Sequence, residues 1–95
     1  MTAHAESIRN HHERAVFEAI AEGAARYPFV AQNDLLPDVA CVALNRLPPR
    51  YIRHEVDMAF YLSERERADT QRAIGEAVDF AFDFVQARAA MRARR

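Results

Sequence analysis

Ninety-five residues and 10.9 kDa make a single domain over residues 1–95, because a domain usually needs about 100 to 150 residues and two halves would each lack an interior. Thirteen arginines, no lysine and 14 acidic residues leave a net charge of −1, which speaks against wholesale attraction to nucleic acid or an acidic membrane and confines any anion site to a local cluster. With 51% hydrophobic and 28% charged residues the chain is globular, and two Gly and four Pro predict few, long elements.

The single Cys41 excludes an internal disulfide and, between Ala40 and Val42, reads as a small core residue rather than a nucleophile. No apolar run approaches the roughly 18 residues of a membrane span, and MTAHAESIRNHHE lacks the apolar centre of an export signal. The expectation is a soluble cytoplasmic protein with no membrane partner, flexible over 1–6 and 93–95.

From Ala5 to about Arg26 an Ala- and Glu-rich segment without proline predicts a first helix of about 20 residues, stopped at Tyr27-Pro28 by the pre-proline restriction. At 100° per residue Ile8, His12, Ala15, Val16, Ala19 and Ile20 share its apolar side, flanked by Arg9 and Glu13, with Arg14, Glu18 and Glu22 opposite. The sequence PFVAQN reads as a loop. A second helix follows, with Asn33 or Asp34 as cap, Pro37 in its first turn, Asp38 at its positive end, and Pro48-Pro49 ending it near Arg46.

Between Tyr51 and Leu62 the apolar pattern alternates by twos (Ile52, His54, Val56, Met58, Phe60, Leu62), as in one strand or a short hairpin, which needs a helix to pack on or a second chain to pair with. Ser63-Glu64-Arg65-Glu66 then reads as a capping box, opening a last helix that meets no proline before the C-terminus. The predicted fold is mainly α: three to four helices with one short strand-like segment or hairpin near residues 51–62.

On that last helix Ile74, Val78, Phe82, Val85 and Ala89 form one apolar stripe and Ala73, Ala77, Phe80 and Phe84 an adjoining one, with Arg72, Glu76, Asp79 and Asp83 on the solvent side. An apolar arc of roughly 200°, against about 100° for a helix facing one core, predicts two burial surfaces. A homodimer with Ile74, Val78, Phe80, Phe82, Phe84 and Val85 at its interface would cover both. Two neighbouring helices of the same chain are the alternative.

His11-His12-Glu13 superficially suits iron or zinc, but adjacent helical residues point 100° apart and His4 and His54 lie elsewhere, so ordinary surface or boundary histidines and no metal are expected. Nothing places Cys41 beside a histidine, and no Gly-rich phosphate loop occurs, so neither catalysis nor a cofactor is expected. The tail QARAAMRARR holds Arg88, Arg92, Arg94 and Arg95, which compensate a helix C-terminus or, alternatively, bind nucleic acid. The most informative stretch is Leu44 to His54. Arg46, Arg50, Tyr51, Arg53 and His54 fall within nine residues, around a stiff Pro48-Pro49 turn and with no acid before Glu55. Guanidinium forks match phosphate oxygens and an aromatic plane stacks on a base. The competing reading has Pro-Pro merely stopping a helix beside solvated arginines.

The string Asp38-Val39-x-x-x-Ala43-Leu44-Asn45-x-Leu47-Pro48-Pro49-Arg50-Tyr51 resembles the signature of the late competence development ComFB family of small bacterial cytoplasmic proteins, and Asn10-x-x-Glu13-x-x-Val16-x-Glu18-x-Ile20 resembles its first helix. Many members carry a zinc-associated cysteine cluster before the Asp-Val pair; here that region reads VAQNDLL, with no cysteine. The resemblance implies a mostly helical homodimer acting as a receptor for a cyclic dinucleotide such as cyclic di-GMP or cyclic di-AMP, and implies no catalysis. By position it carries over Asn10, Glu13, Asp38, Asn45, Pro48, Pro49, Arg50 and Tyr51, without roles. Chemistry assigns ligand binding to Arg46, Arg50, Tyr51 and Arg53, with Asp38 and Asn45, seven apart on one helix face, reading a base edge or bracing the loop. A protein partner such as a transcription regulator would receive the signal. The alternatives are a ligand-free helical adaptor and, less favoured by the near-zero net charge, a nucleic-acid binder.

Overall fold

The computed structural model describes residues 7–54, 56 and 62–93. Its elements are β1 (Arg9–Asn10), α1 (His12–Gly23) extended by a 3₁₀ turn (Ala24–Arg26), α2 (Pro28–Gln32), α3 (Leu36–Arg46), β2 (Tyr51–Ile52) and α4 (Glu64–Ala93). Helices α1, α3 and α4 pack on one another around a core of Val16, Ile20, Val30, Val39, Ala43, Leu47, Ile74, Ala77, Val78, Ala81, Phe82 and Val85.

The first helix begins at His12 rather than Ala5. Arg9 and Asn10 are extended and pair antiparallel with Ile52 and Tyr51, so the strand-like segment finds its partner within its own chain, in residues whose helix propensity is overridden. Propensity is worth only tenths of a kcal/mol per residue, less than the ribbon gains by pairing backbone groups and burying Ile52. Ile8, placed on the apolar side by the helical wheel, is 53% exposed for the same reason. The alternation holds over Tyr51, Ile52 and Arg53, which are exposed, buried and exposed, but ends there: the strand stops at Ile52, and His54 and Val56, expected on the side of Ile52, are exposed. Residues 55 and 57–61 of that segment, like 1–6 and 94–95, lie outside the described residues.

PFVAQN is a short helix rather than a loop, because Pro28 occupies its first turn, where the missing N–H costs nothing. Asn33 closes this helix, its backbone N–H and its Nδ2 both donating to the Phe29 carbonyl at 3.2 and 2.7 Å. Asp34 takes a left-handed φ of 57°, and the cap position of α3 falls on Leu35, with no side-chain bond. Neither Asn33 nor Asp34 is therefore the cap. Pro37 and Asp38 do sit in the first turn of α3, and its cap at Leu47 precedes Pro48. Ser63 caps α4, the Glu66 N–H donating to Ser63 Oγ at 3.1 Å, which is the serine half of the expected box.

Helix α4 shows where its two stripes go. Ile74, Val78, Phe82 and Val85 are buried against α1 and α3, so four of the six residues assigned to a dimer interface belong to the core of the single chain. Phe80 and Phe84 remain 40% and 44% exposed. Arg72, Glu76, Asp79 and Asp83 face solvent as expected, and residues 90–93 are exposed throughout. Cys41 is exposed rather than in the core. Among the described residues no helix is long and apolar enough to cross a membrane.

Candidate functional site

The Pro48-Pro49-Arg50 turn is mounted on the start of α1. Two successive prolines have no N–H to donate, so the turn must be held by other groups. Asn10 Oδ1 accepts the backbone N–H of Arg50 and that of His12, each at 3.2 Å. The His11 N–H donates to the Arg50 carbonyl at 2.6 Å, and the ribbon continues the pairing through Tyr51 and Ile52. Arg50 is thereby fixed on both sides of its backbone.

Beneath this turn lies His12, only 7% exposed, which corrects the expectation of two surface or boundary histidines. Burial is the main cause that holds its imidazole below the usual histidine value of 6.5; His11 and Arg50 push the same way, while a hydrogen bond with the Pro48 carbonyl opposes them. The Nδ1 atoms of His11 and His12 are both buried without a hydrogen-bond partner, and their rings lie 5.8 Å apart.

Above the histidines is a cavity of about 280 Å³ between the turn and the first half of α4. Leu47, Pro48, Pro49 and Arg50 form one wall, Asp69, Thr70 and Ala73 the opposite one, with His11, His12 and Leu62 between them. An adjoining depression of about 400 Å³ shares His11, Leu62 and Thr70 and extends along α1 and α4 past Glu18, Arg67 and Gln71. Together they offer two guanidinium groups (Arg50, Arg67), three carboxylates (Glu18, Glu22 and Asp69, the last also accepting from Arg72 at 3.3 Å), the Thr70 hydroxyl and apolar proline and leucine walls.

The sequence-predicted ligand residues divide. Arg50 borders the cavity. Tyr51, 69% exposed, and Arg53 lie on the outward side of the ribbon, one residue either side of buried Ile52. Arg46 does not reach the cavity: its guanidinium carbon stands 3.7 Å from the centroid of the Phe80 ring, a cation–π contact that spends the fork on the protein itself. Asp38 faces Arg88 of α4 at 4.0 Å and Asn45 is exposed on α3; neither lines the cavity. Asn10, His12, Asp69 and Thr70 were not given site roles by sequence reasoning. Asn10 is signalled by the family pattern and His12 by its place on the apolar side of the first helix; nothing local marks Asp69 or Thr70.

Among the described residues no group of three or more His, Cys, Asp or Glu could hold a metal ion. The family model described as late competence development protein ComFB matches residues 9–89. No curated protein and no solved structure matches the chain.

Proposed function

This chain belongs to the late competence development protein ComFB family, and from that premise we propose that it is a non-enzymatic receptor for a cyclic dinucleotide, working as a homodimer that passes ligand occupancy to a protein partner. The observation that carries the reading is Arg50, rigidly mounted on the rim of a cavity with apolar proline walls and the polar groups of Asp69 and Thr70 opposite. In this reading Arg50 binds phosphate oxygen, the prolines flank a base, Asp69 and Thr70 meet base N–H groups, and Tyr51 and Arg53 supply an exposed ring and charge beside the entrance. The homodimer is supported by Phe80 and Phe84, two large rings left on the surface of α4.

Calorimetric titration with cyclic di-GMP and with cyclic di-AMP tests the reading. A charge-assisted contact is worth about 1.5 to 3 kcal/mol, so Arg50→Ala should weaken binding roughly 10- to 150-fold. Arg50→Lys should recover only part, since a point charge replaces a fork. Absence of binding to either ligand overturns the receptor. Light scattering tests the dimer, which requires twice the 10.9 kDa chain mass and a shift toward one chain mass in Phe84→Glu.

A second reading, the protein-contact adaptor, is favoured by one observation. A trough of about 560 Å³ between α1 and α3, lined by Phe17, Ile20, Ala21, Leu36, Pro37, Ala40, Cys41 and Leu44, is almost wholly apolar. An adaptor of this kind would bind neither dinucleotide.

A further inference from the structure

We propose that Asn10 is the positioning residue of the Arg50 turn: its carboxamide oxygen fixes the Arg50 backbone to the first turn of α1 and so sets where the guanidinium stands at the cavity. The ligand in this inference rests on the receptor reading; the positioning itself does not.

The case begins with a shortage of donors. From Pro48 to Arg50 the backbone carries a single N–H, that of Arg50, because both preceding residues are prolines. That one donor goes to Asn10 Oδ1 at 3.2 Å, forty residues away in the chain. The same oxygen accepts the His12 N–H at 3.2 Å, one of the donors that an α-helix leaves unsatisfied at its start. A carbonyl oxygen has two lone pairs, so one atom can serve both bonds.

The arrangement leaves the turn little freedom. The Arg50 carbonyl accepts the His11 N–H at 2.6 Å, so residues 10 and 11 engage the N–H and the C=O of Arg50, one in each of the two peptide units that flank its Cα. Ile52 is buried two residues later, and Leu47 is buried on the other side of the prolines. Between those anchors Asn10 Oδ1 holds the turn's one N–H, that of Arg50, while the His12 imidazole bonds the Pro48 carbonyl. Asn10 is not itself part of the cavity wall; its oxygen holds two lining residues by their backbone, Arg50 and His12, and of these only Arg50 carries a ligand contact in the receptor reading.

The test uses the full chain and two readouts. By NMR amide exchange, Asn10→Ala should speed exchange of the Arg50 N–H about tenfold, the scale of one lost hydrogen bond. Asn10→Asp, which keeps an acceptor oxygen, should leave it within about twofold of wild type. The core amides of Val39 and Phe82 serve as a control and should not change. By titration with cyclic di-GMP and cyclic di-AMP, Asn10→Ala should weaken binding about three- to tenfold with Arg50 present, and add no loss in the Arg50→Ala background. Unchanged Arg50 exchange in Asn10→Ala overturns the proposal, as does an equal affinity loss in both backgrounds or accelerated exchange at Val39 and Phe82 alike. A wild type that binds neither dinucleotide, with Arg50 exchange responding as described, overturns the receptor reading alone and leaves the positioning supported.

Discussion

The two apolar stripes of α4 contain the same kinds of residue and meet different fates. Ile74, Val78, Phe82 and Val85 are buried by α1 and α3, and the Phe82 ring stacks on Tyr27 with centroids 4.4 Å apart. Phe80 and Phe84 stack on each other at 5.9 Å while guanidinium groups lie over them, Arg46 at 3.7 Å and Arg88 at 5.4 Å. The first stripe is sealed by carbon; of the second, Ala77 joins the core, Ala73 is exposed, and the two rings lie under charge. The arginine planes cover part of this apolar surface within one chain and leave Phe80 and Phe84 40% and 44% exposed, the part a second chain covers in the proposed dimer.

The largest expected contrast comes from truncating one ring in each stripe. Phe82→Ala should cost about 3 to 5 kcal/mol, since it removes a fully buried aromatic and leaves a cavity. Phe80→Ala or Phe84→Ala should cost less, about 1 to 2 kcal/mol, because rings 40% and 44% exposed lose only part of a full burial and leave no closed cavity. Urea denaturation of the three variants measures the difference, and equal losses would break the distinction between the stripes.

The two glycines sharpen it next. A Cβ on Gly23 would stand 2.9 Å from Phe82 Cε2, whereas one on Gly75 meets nothing within 4 Å. Gly23→Ala should therefore destabilise by about 1 to 3 kcal/mol through overpacking. Gly75→Ala, inside α4, should stabilise by up to about 1 kcal/mol through helix propensity. Opposite shifts in thermal midpoint are the expected outcome.

A pH-dependent effect probes the polar residue on the buried side of α1. Folding lowers the His12 pKa, so between the lowered value and 6.5 the unfolded chain binds more protons and stability rises with pH. The contribution is full above about pH 6.5 and is lost as pH falls through the folded value. The slope of denaturation free energy against pH should flatten in His12→Gln. An unchanged slope would assign the dependence elsewhere.

The smallest effect belongs to the charged roof. The Arg88–Asp38 pair is 4.0 Å long and its side chains are 37% and 48% exposed, so Asp38→Asn should change stability by about 0.5 kcal/mol or less, with that difference vanishing in high salt. A loss well above 1 kcal/mol would make the roof as structural as the sealed stripe.

The division between what was legible and what was not follows range. Local signals were sound where one stretch of chain carried both cause and effect: proline at 48 stops α3, Ser63 caps α4, and the alternation at Tyr51-Ile52-Arg53 gives a strand with buried Ile52. They misled where a distant partner decided. Arg9 and Asn10 lie in good helical sequence, yet Tyr51 and Ile52 draw them into a ribbon. PFVAQN lacked only the recognition that a proline can open a helix as readily as it ends one.

The candidate site divides the same way. Arg50 was legible because a guanidinium on a Pro-Pro turn is unusual chemistry in a short space. Asn10, Asp69 and Thr70 were not, because each is an ordinary polar residue until a neighbour from another element gives it a role. Arg46 shows the converse: the sequence supplies the charge, and the approach of Phe80 from α4 decides where it points. The sequence by itself determined the mainly helical class, the long last helix, the helix stop at Pro48 and the family pattern, all written in periodicity and adjacent residues. The tertiary structure alone decided which α4 stripe is core, which arginine reaches the cavity, and that one Asn10 oxygen serves the N–H groups of His12 and Arg50, because burial and pairing depend on elements far apart in the chain.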